Sequence, residues 1–324
     1  MATFYDQIGA NRRNSFLLAL AVVVILGALG FSIGYALTGS AGGAIGATAF
    51  AIVLGVVMSL GSYFAGDQLV LAASVAKELD ESAAPQLANV VREMAVAANV
   101  PMPKIYLIDD TAPNAFATGR DPRHASLAVT TGLLEKLDRE ELQGVIGHEM
   151  SHVRNLDIRF SLIVGVLVGS VALLSDFFLR WTWFGGGSRS RSDREGGGGG
   201  LQAIMVVVAL VLAIVAPIAA RLVQLAVSRQ REYLADASSV ELTRNPTGIE
   251  RALAKIASDQ EVLEVANRAT QHLYFTNPIK KFEQRSSGLF STHPPIVERI
   301  NRLRQLTGER PLTQGDVAGL AGLD

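Results

Sequence analysis

The sequence contains no cysteine. That excludes disulfides, a thiolate metal ligand and a thiol nucleophile together. Histidine is scarce, with five in the whole chain, so any clustering of histidines carries information. Charge is thin as well. Only 18% of residues are Asp, Glu, Lys or Arg, and the formal net charge is −1. With no basic surplus there is no electrostatic footprint for nucleic acid, and no field to capture an acidic partner. The two tryptophans fall side by side at Trp181 and Trp183, where they mark one place in the chain.

Apolar sequence is abundant, and the mean hydropathy is +0.30. It is concentrated in four runs, at 16–37, 44–64, 160–179 and 201–220. Roughly 20 apolar residues in a helix cross a bilayer, so each run predicts a transmembrane helix and the lipid bilayer becomes a partner. The first run is too long for a signal-peptide core, and the second follows at once, so cleavage is not expected. Gly39 to Gly43 predicts a tight turn between them, and the Gly and Ala content of the second run suits close helix packing. Trp181, Trp183 and Phe184 follow the third run as an interfacial anchor would. Residues 185–200 are rich in Gly, Ser and Arg and read as a flexible loop. Pro217 inside the fourth run predicts a kink.

Between and after the runs the composition is that of a soluble domain. Helices are expected at 68–79, 86–99, 222–240, 249–258 and 296–306, and short strands at 104–108, 114–119 and 126–130. Asp138 and Glu141 form a capping-box pair that opens a further helix, expected to run through Asn155 and Asp157 into the third span. The fold class is therefore mainly α with a small β-sheet: four transmembrane helices and a zincin-like domain. The expected division is an N-terminal hairpin at 1–66, a soluble domain from 67–158 and 221–324, and a second hairpin at 159–220.

The chemistry centres on Gly147-His148-Glu149-Met150-Ser151-His152, an H-E-x-x-H run on the capped helix. Residues four apart share a helix face, so His148 and His152 can aim two imidazoles at one metal ion. Glu149 is placed to hold and deprotonate a water there. A third ligand must come from elsewhere, among His124, His272, His293 and a carboxylate. Glu232 is the best carboxylate, in Arg231-Glu232-Tyr233-Leu234-Ala235-Asp236. Asp236, one turn on, can accept a hydrogen bond from the far nitrogen of a ligating histidine. Two spans separate the two ligand sets, so both return to one side of the membrane. Asp138, Arg139, Glu140, Glu141, Arg154 and Asn155 around the motif are costly at bilayer depth, which places the site outside it and disfavours an intramembrane protease.

Several separate stretches in order resemble the M48 family of zinc metallopeptidases, in particular its bacterial membrane proteases. They are the paired first spans, Asn114 to Gly119, Thr130 to Leu134, His148 to His152 with Asp157 five residues on, Arg231 to Asp236, Ser291-Thr292-His293-Pro294-Pro295 and Glu298-Arg299-Ile300. The resemblance implies one zinc ion per chain on His148, His152 and Glu232, Glu149 as general base, and Asp236 and Asp157 as acceptors behind the ligands. It also implies proteolysis of unfolded or damaged membrane proteins at the cytoplasmic face of the cell inner membrane. The long 185–200 loop departs from the family's usual short connection. His293 is the candidate donor to the oxyanion. The strand Asn114, Ala115, Phe116, Ala117 and Thr118 is the candidate to bind substrate as an added strand. A prenyl-protein protease of the same family would carry more spans. A membrane scaffold or chaperone with a vestigial site is the alternative from another class, and the intact Glu149 argues against it. Arg12 and Arg13 favour cytoplasmic soluble parts, although Arg180, Arg189, Arg191 and Arg194 then face the other way, partly offset by Asp193 and Glu195.

Overall fold

In a computed structural model the chain forms two compact units, one from 1–11, 63–161 and 228–324, the other from 12–62 and 162–227. The structure describes residues 4–185, 199–259, 261, 263, 274–275, 294–313 and 315–322. The expected loop at 185–200 falls almost wholly outside these residues, as do His272 and His293.

Four helices among the described residues are long and apolar enough to cross a membrane. They belong to α1 (Phe4–Thr38), α2 (Ala41–Ala73), α6 (Asp157–Arg180) and α7 (Gly199–Thr243). Gly39 ends α1 with φ 67°, the left-handed conformation that glycine adopts most easily. Ser40 then caps α2, its Oγ accepting from Gly43 N at 3.1 Å. The α1–α2 contact is built on small residues. A Cβ on Gly34 would lie 2.5 Å from Ala47 Cβ and 2.7 Å from the Gly43 carbonyl, so glycine is required for this approach. The opposite face of α2 leaves Phe50, Val53, Val57 and Leu60 exposed, as a lipid-facing surface requires. The chain is a multi-pass membrane protein.

The other unit holds a four-stranded sheet in the order β1-β2-β4-β3. Its strands are β1 (Lys77–Glu78), β2 (Lys104–Ile108), β3 (Ala115–Gly119) and β4 (Ala125–Thr130). β2 and β4 are parallel, and β3 runs antiparallel to β4 with Phe116 opposite Ala128. One face, with Ile105, Ala115, Ala117, Leu127 and Val129, joins the main core under the helices. The other, with Ile108, Phe116 and Ala128, packs on Leu71, Leu263 and Tyr274. The helix expected at 68–79 is not separate. α2 continues to Ala73, Val75 reverses the chain at φ 51°, and Lys77–Glu78 becomes the outer strand.

Around the sheet lie α3 (Pro85–Ala98), α4 (Thr131–Lys136), α5 (Arg139–Arg154), α8 (Pro246–Ser258), α9 (Ile296–Thr307) and α10 (Asp316–Leu320). The capping box is present: Glu141 N donates to Asp138, and Asp138 N donates to Glu141. The buried Glu141 carboxylate also pairs with Lys255 at 2.8 Å and Arg251 at 3.2 Å, which ties α5 to α8. α5 carries glycines where its neighbours come closest. A Cβ on Gly144 would be 2.7 Å from Ile249 N, and one on Gly147 would be 3.0 Å from Ser239 Oγ. Ser239 Oγ meanwhile donates to the Gly144 carbonyl at 2.6 Å. These contacts set α7 against the H-E-x-x-H helix.

One expectation fails at the end of α5. The helix does not run on into the third span. It stops at Arg154, Leu156 takes φ 61°, and α6 begins afresh at Asp157. Left-handed backbone is costly for leucine. Its effect is to return the Asp157 carboxylate towards α5.

Candidate active site

His148 and His152 project from the same face of α5, one turn apart. Their rings meet edge to face with centroids 4.7 Å apart, and their Nε2 atoms lie 3.1 Å apart. α7 brings Glu232 opposite. Its Oε2 is 3.7 Å from His148 Nε2, and its Oε1 is 3.6 Å from His152 Nε2. One ligand atom from each residue fits within a 4.8 Å cluster, a donor set suited to a metal ion.

The outer nitrogens are also engaged. His148 Nδ1 lies 2.9 Å from Asp236 Oδ1, and His152 Nδ1 lies 2.9 Å from Asp157 Oδ2. A carboxylate on Nδ1 fixes the tautomer with the lone pair on Nε2, as a metal ligand needs. Each aspartate is in turn held by a buried arginine. Arg299 reaches Asp236 and Arg231 reaches Asp157, at 2.7 and 3.0 Å. Arg231 is further seated on the Phe160 ring, 3.7 Å from its centroid.

Glu149 is 2% exposed and follows His148 on α5. Its Oε2 accepts from Ala117 N on β3 at 2.8 Å. Burial raises its pKa to about 7, helped by the Glu232 charge and opposed by His152 and the Ala117 N–H. Burial dominates at His148 and lowers its pKa to about 4. At His152 burial also acts downward, but the Asp157 hydrogen bond and the charges of Asp157, Glu232 and Glu149 outweigh it and raise the pKa to about 9.

Charge balance points the same way. Glu149, Asp157, Glu232 and Asp236 are four buried carboxylates, met by two buried guanidinium groups on Arg231 and Arg299. The deficit is two positive charges, which a divalent cation fills. Buried charge left uncompensated is costly.

The candidate substrate strand, β3, is an edge of the sheet and is buried along its length. Three of its outward groups are already engaged, the Ala115 N–H by the Asn114 side chain at 3.0 Å. The Ala115 carbonyl accepts from Phe275 N at 2.7 Å, and Ala117 N donates to Glu149. Asn114, just before it, pairs through its backbone with the Thr130 side chain. Of the other histidines considered as ligands, His124 is exposed on a short 3₁₀ turn and bonded to Asp121 at 2.9 Å, away from the cluster. Sequence reasoning missed the buried roles of Arg231, Phe275 and Arg299. Arg231 and Arg299 stand inside the quoted motifs, but nothing local distinguishes a buried arginine from a solvated one.

The profile of peptidase family M48 matches residues 81–307. Protease HtpX homologs are similar nearly end to end. That of Streptococcus uberis is 44% identical over 302 residues, 93% of this chain and 99% of that protein. That of Streptococcus mutans serotype c is 46% identical over the same coverage. Among solved structures, the crystal structure of S. mikatae Ste24p is similar at a TM-score of 0.48 and 18% identity, covering 78% of this chain and 57% of that one. The family match and the relatives named as proteases give the enzyme class, and the His148, His152 and Glu232 cluster and the four long apolar helices agree with a membrane metallopeptidase. The chain belongs to peptidase family M48 and, within it, to the HtpX type of membrane metallopeptidase.

Proposed function

We propose that this metallopeptidase binds one zinc ion per chain through His148, His152 and Glu232, and uses Glu149 as general base. Its proposed substrates are unfolded or damaged membrane proteins, cleaved at the cytoplasmic face of the cell inner membrane. The observation that carries the site assignment is the convergence of two Nε2 atoms and a carboxylate beside the buried Glu149.

The donor set fits zinc. Tetrahedral zinc with ligands at 2.0–2.2 Å spaces its ligand atoms about 3.3–3.6 Å apart. The 3.1, 3.6 and 3.7 Å separations bracket that spacing. Nitrogen and carboxylate oxygen are ligands that zinc accepts, and two histidines with a glutamate leave a position open for water or substrate. Zinc bound here would polarise the scissile carbonyl and acidify the attacking water.

The chain's own groups do the rest. Asp236 and Asp157 orient the two imidazoles. Glu149, held ionised beside a bound cation, can take the proton from water and deliver it to the leaving amine. The Ala117 N–H aims the Glu149 carboxylate and links the base to the strand on which substrate is proposed to lie. Main-chain pairing along Asn114, Ala115, Phe116, Ala117 and Thr118 would read backbone more than side chains, which suits varied unfolded clients, and it would have to displace Phe275 from the Ala115 carbonyl and Glu149 from the Ala117 N–H. His293 is the proposed donor to the oxyanion.

Glu149→Gln keeps the size and the Ala117 contact but cannot accept the proton. It is expected to lower cleavage of a denatured protein by roughly 10²–10⁴-fold while zinc per chain stays at the wild-type level. Cleavage at the wild-type rate would end the general-base assignment.

A further inference from the structure

Arg299 sits in the first turn of α9 with none of its side chain exposed. Its nitrogens reach four groups: Asp236, the Phe275 carbonyl, Glu232 and His148 Nδ1, the last 3.4 Å from Nη2. Nε donates to Asp236 Oδ2 at 2.8 Å and Nη2 to Asp236 Oδ1 at 2.7 Å, a two-point fork. Nη1 donates to the Phe275 carbonyl at 3.0 Å and lies 3.4 Å from Glu232 Oε2. The guanidinium also covers the Phe275 ring at 4.7 Å, and that ring packs edge to face on His148 at 4.8 Å.

Asp236 Oδ1 is shared between Arg299 and His148 Nδ1. A two-point fork fixes the plane of a carboxylate, whereas a single contact leaves it free to turn. The fixed carboxylate then fixes the direction in which His148 presents Nε2. Arginine stays charged under all working conditions, so this support does not come and go with pH. On the other histidine, Arg231 Nη1 lies 3.0 Å from Asp157 Oδ1 and 3.4 Å from the Asp157 backbone carbonyl. Phe275 adds a second connection, because its N–H bonds the Ala115 carbonyl on the edge of β3.

We propose that Arg299 is a positioning residue of the metal centre: it locks Asp236 behind His148, braces Glu232, and joins both to the Phe275 stretch seated on β3. The proposal rests on the metallopeptidase reading of His148, His152 and Glu232. Glue between α9 and the domain would show only in stability. Positioning must show in metal affinity and in turnover.

The test uses the full-length chain in detergent. Zinc dissociation constants are measured by chelator competition, and kcat and KM on a denatured protein, for wild type, Arg299→Lys, Arg299→Met, Asp236→Asn and the Arg299→Met/Asp236→Asn double variant. Loss of a partner behind a ligand typically weakens metal binding about 10–100-fold, and Arg299→Met is expected in that range. Arg299→Lys restores the charge without the fork and is expected to recover only part of the affinity, with kcat reduced more than KM is raised. The double variant removes both buried charges, so it remains measurable if Arg299→Met alone does not fold. Its zinc affinity is expected to lie within a few-fold of Asp236→Asn, because the arginine acts mainly through the aspartate. Wild-type affinity in Arg299→Met, or a double variant whose loss is the product of the two single losses, would overturn the proposal. A wild-type chain that binds no zinc would overturn the metal-site reading itself, and this inference with it.

Discussion

In the metal-free site, protons stand where a dication would. His152 holds one at a pKa of about 9, and Glu149 is half-protonated at about 7, which offsets much of the two-charge deficit. His148, at about 4, holds none near neutrality. A zinc ligand must present a free lone pair, so binding must expel the His152 proton. The sign follows directly: affinity should rise with pH until His152 is neutral. At pH 7 the group is about two units below its pKa, which costs about 2.7 kcal/mol and weakens apparent zinc affinity about 100-fold against its high-pH limit. Calorimetric titration of the full chain with zinc, in buffers of different ionisation enthalpy, counts the protons released. His152 is expected to contribute about one proton per zinc at pH 8 and about half of one at pH 9, on top of those released by Glu149 and by the water that zinc would acidify. Asp157→Asn removes the largest upward influence on His152, so release at pH 8 should fall clearly below the wild-type value. If wild type releases no proton at pH 8, or Asp157→Asn releases as many as wild type, the electrostatic account of His152 is wrong.

Two stability predictions follow from the packing of the soluble unit. Gly144→Ala places a methyl 2.7 Å from the Ile249 backbone nitrogen, which cannot rotate away. A loss of about 1–3 kcal/mol is expected in chemical denaturation, against little change for Gly169→Ala, whose Cβ would meet nothing within 4 Å. Glu250, nearly buried, has its pKa raised to about 7 by burial and the Glu309 charge, against the pull of Arg304. A carboxyl with a raised folded-state pKa favours the native state below its unfolded value of 4.5, and that contribution is lost as pH rises through about 7. Glu250→Gln should therefore stabilise the chain at pH 8 by roughly 2 kcal/mol, seen as a raised Tm, and the gain should vanish at pH 5. Equal Tm differences at both pH values would contradict this.

Local signals made much of the fold readable. The Asp138–Glu141 box, the apolar face of α5 and the i, i+4 histidines all lie within one short stretch, and the structure puts them on one capped helix. The four apolar runs needed only their length. Strands β2, β3 and β4 were bounded by Pro103, the Asp109–Asp110 pair and the Arg120–Arg123 turn. What escaped depends on distant partners. Nothing in Arg154-Asn155-Leu156-Asp157 signals a break without Gly or Pro. The left-handed Leu156 is maintained where Asp157 meets both His152 and Arg231. β1 is two residues long and owes its form to β2. Arg299 reads as an ordinary polar residue of an amphipathic helix until Asp236, 63 residues earlier, is placed against it.

The contrast between the breaks and the unbroken stretches has a consequence for how such chains can change length. α7 runs unbroken from Glu232 and Asp236 to Ser239, whose hydroxyl rests on the Gly144 carbonyl, so the two carboxylates have no slack against α5. One residue inserted between Asp236 and Ser239 would turn both carboxylates by about 100° and move them about 1.5 Å relative to that contact. The Leu156 joint, by contrast, separates α5 from α6, so an insertion in the apolar part of α6 leaves His148, His152 and Asp157 in register with one another. Zinc per chain in the two insertion variants should show the difference, lost in the first and kept in the second. Length variation in relatives of this chain should therefore gather in α6 and the segment that follows it, and should be sparse between Asp236 and Ser239.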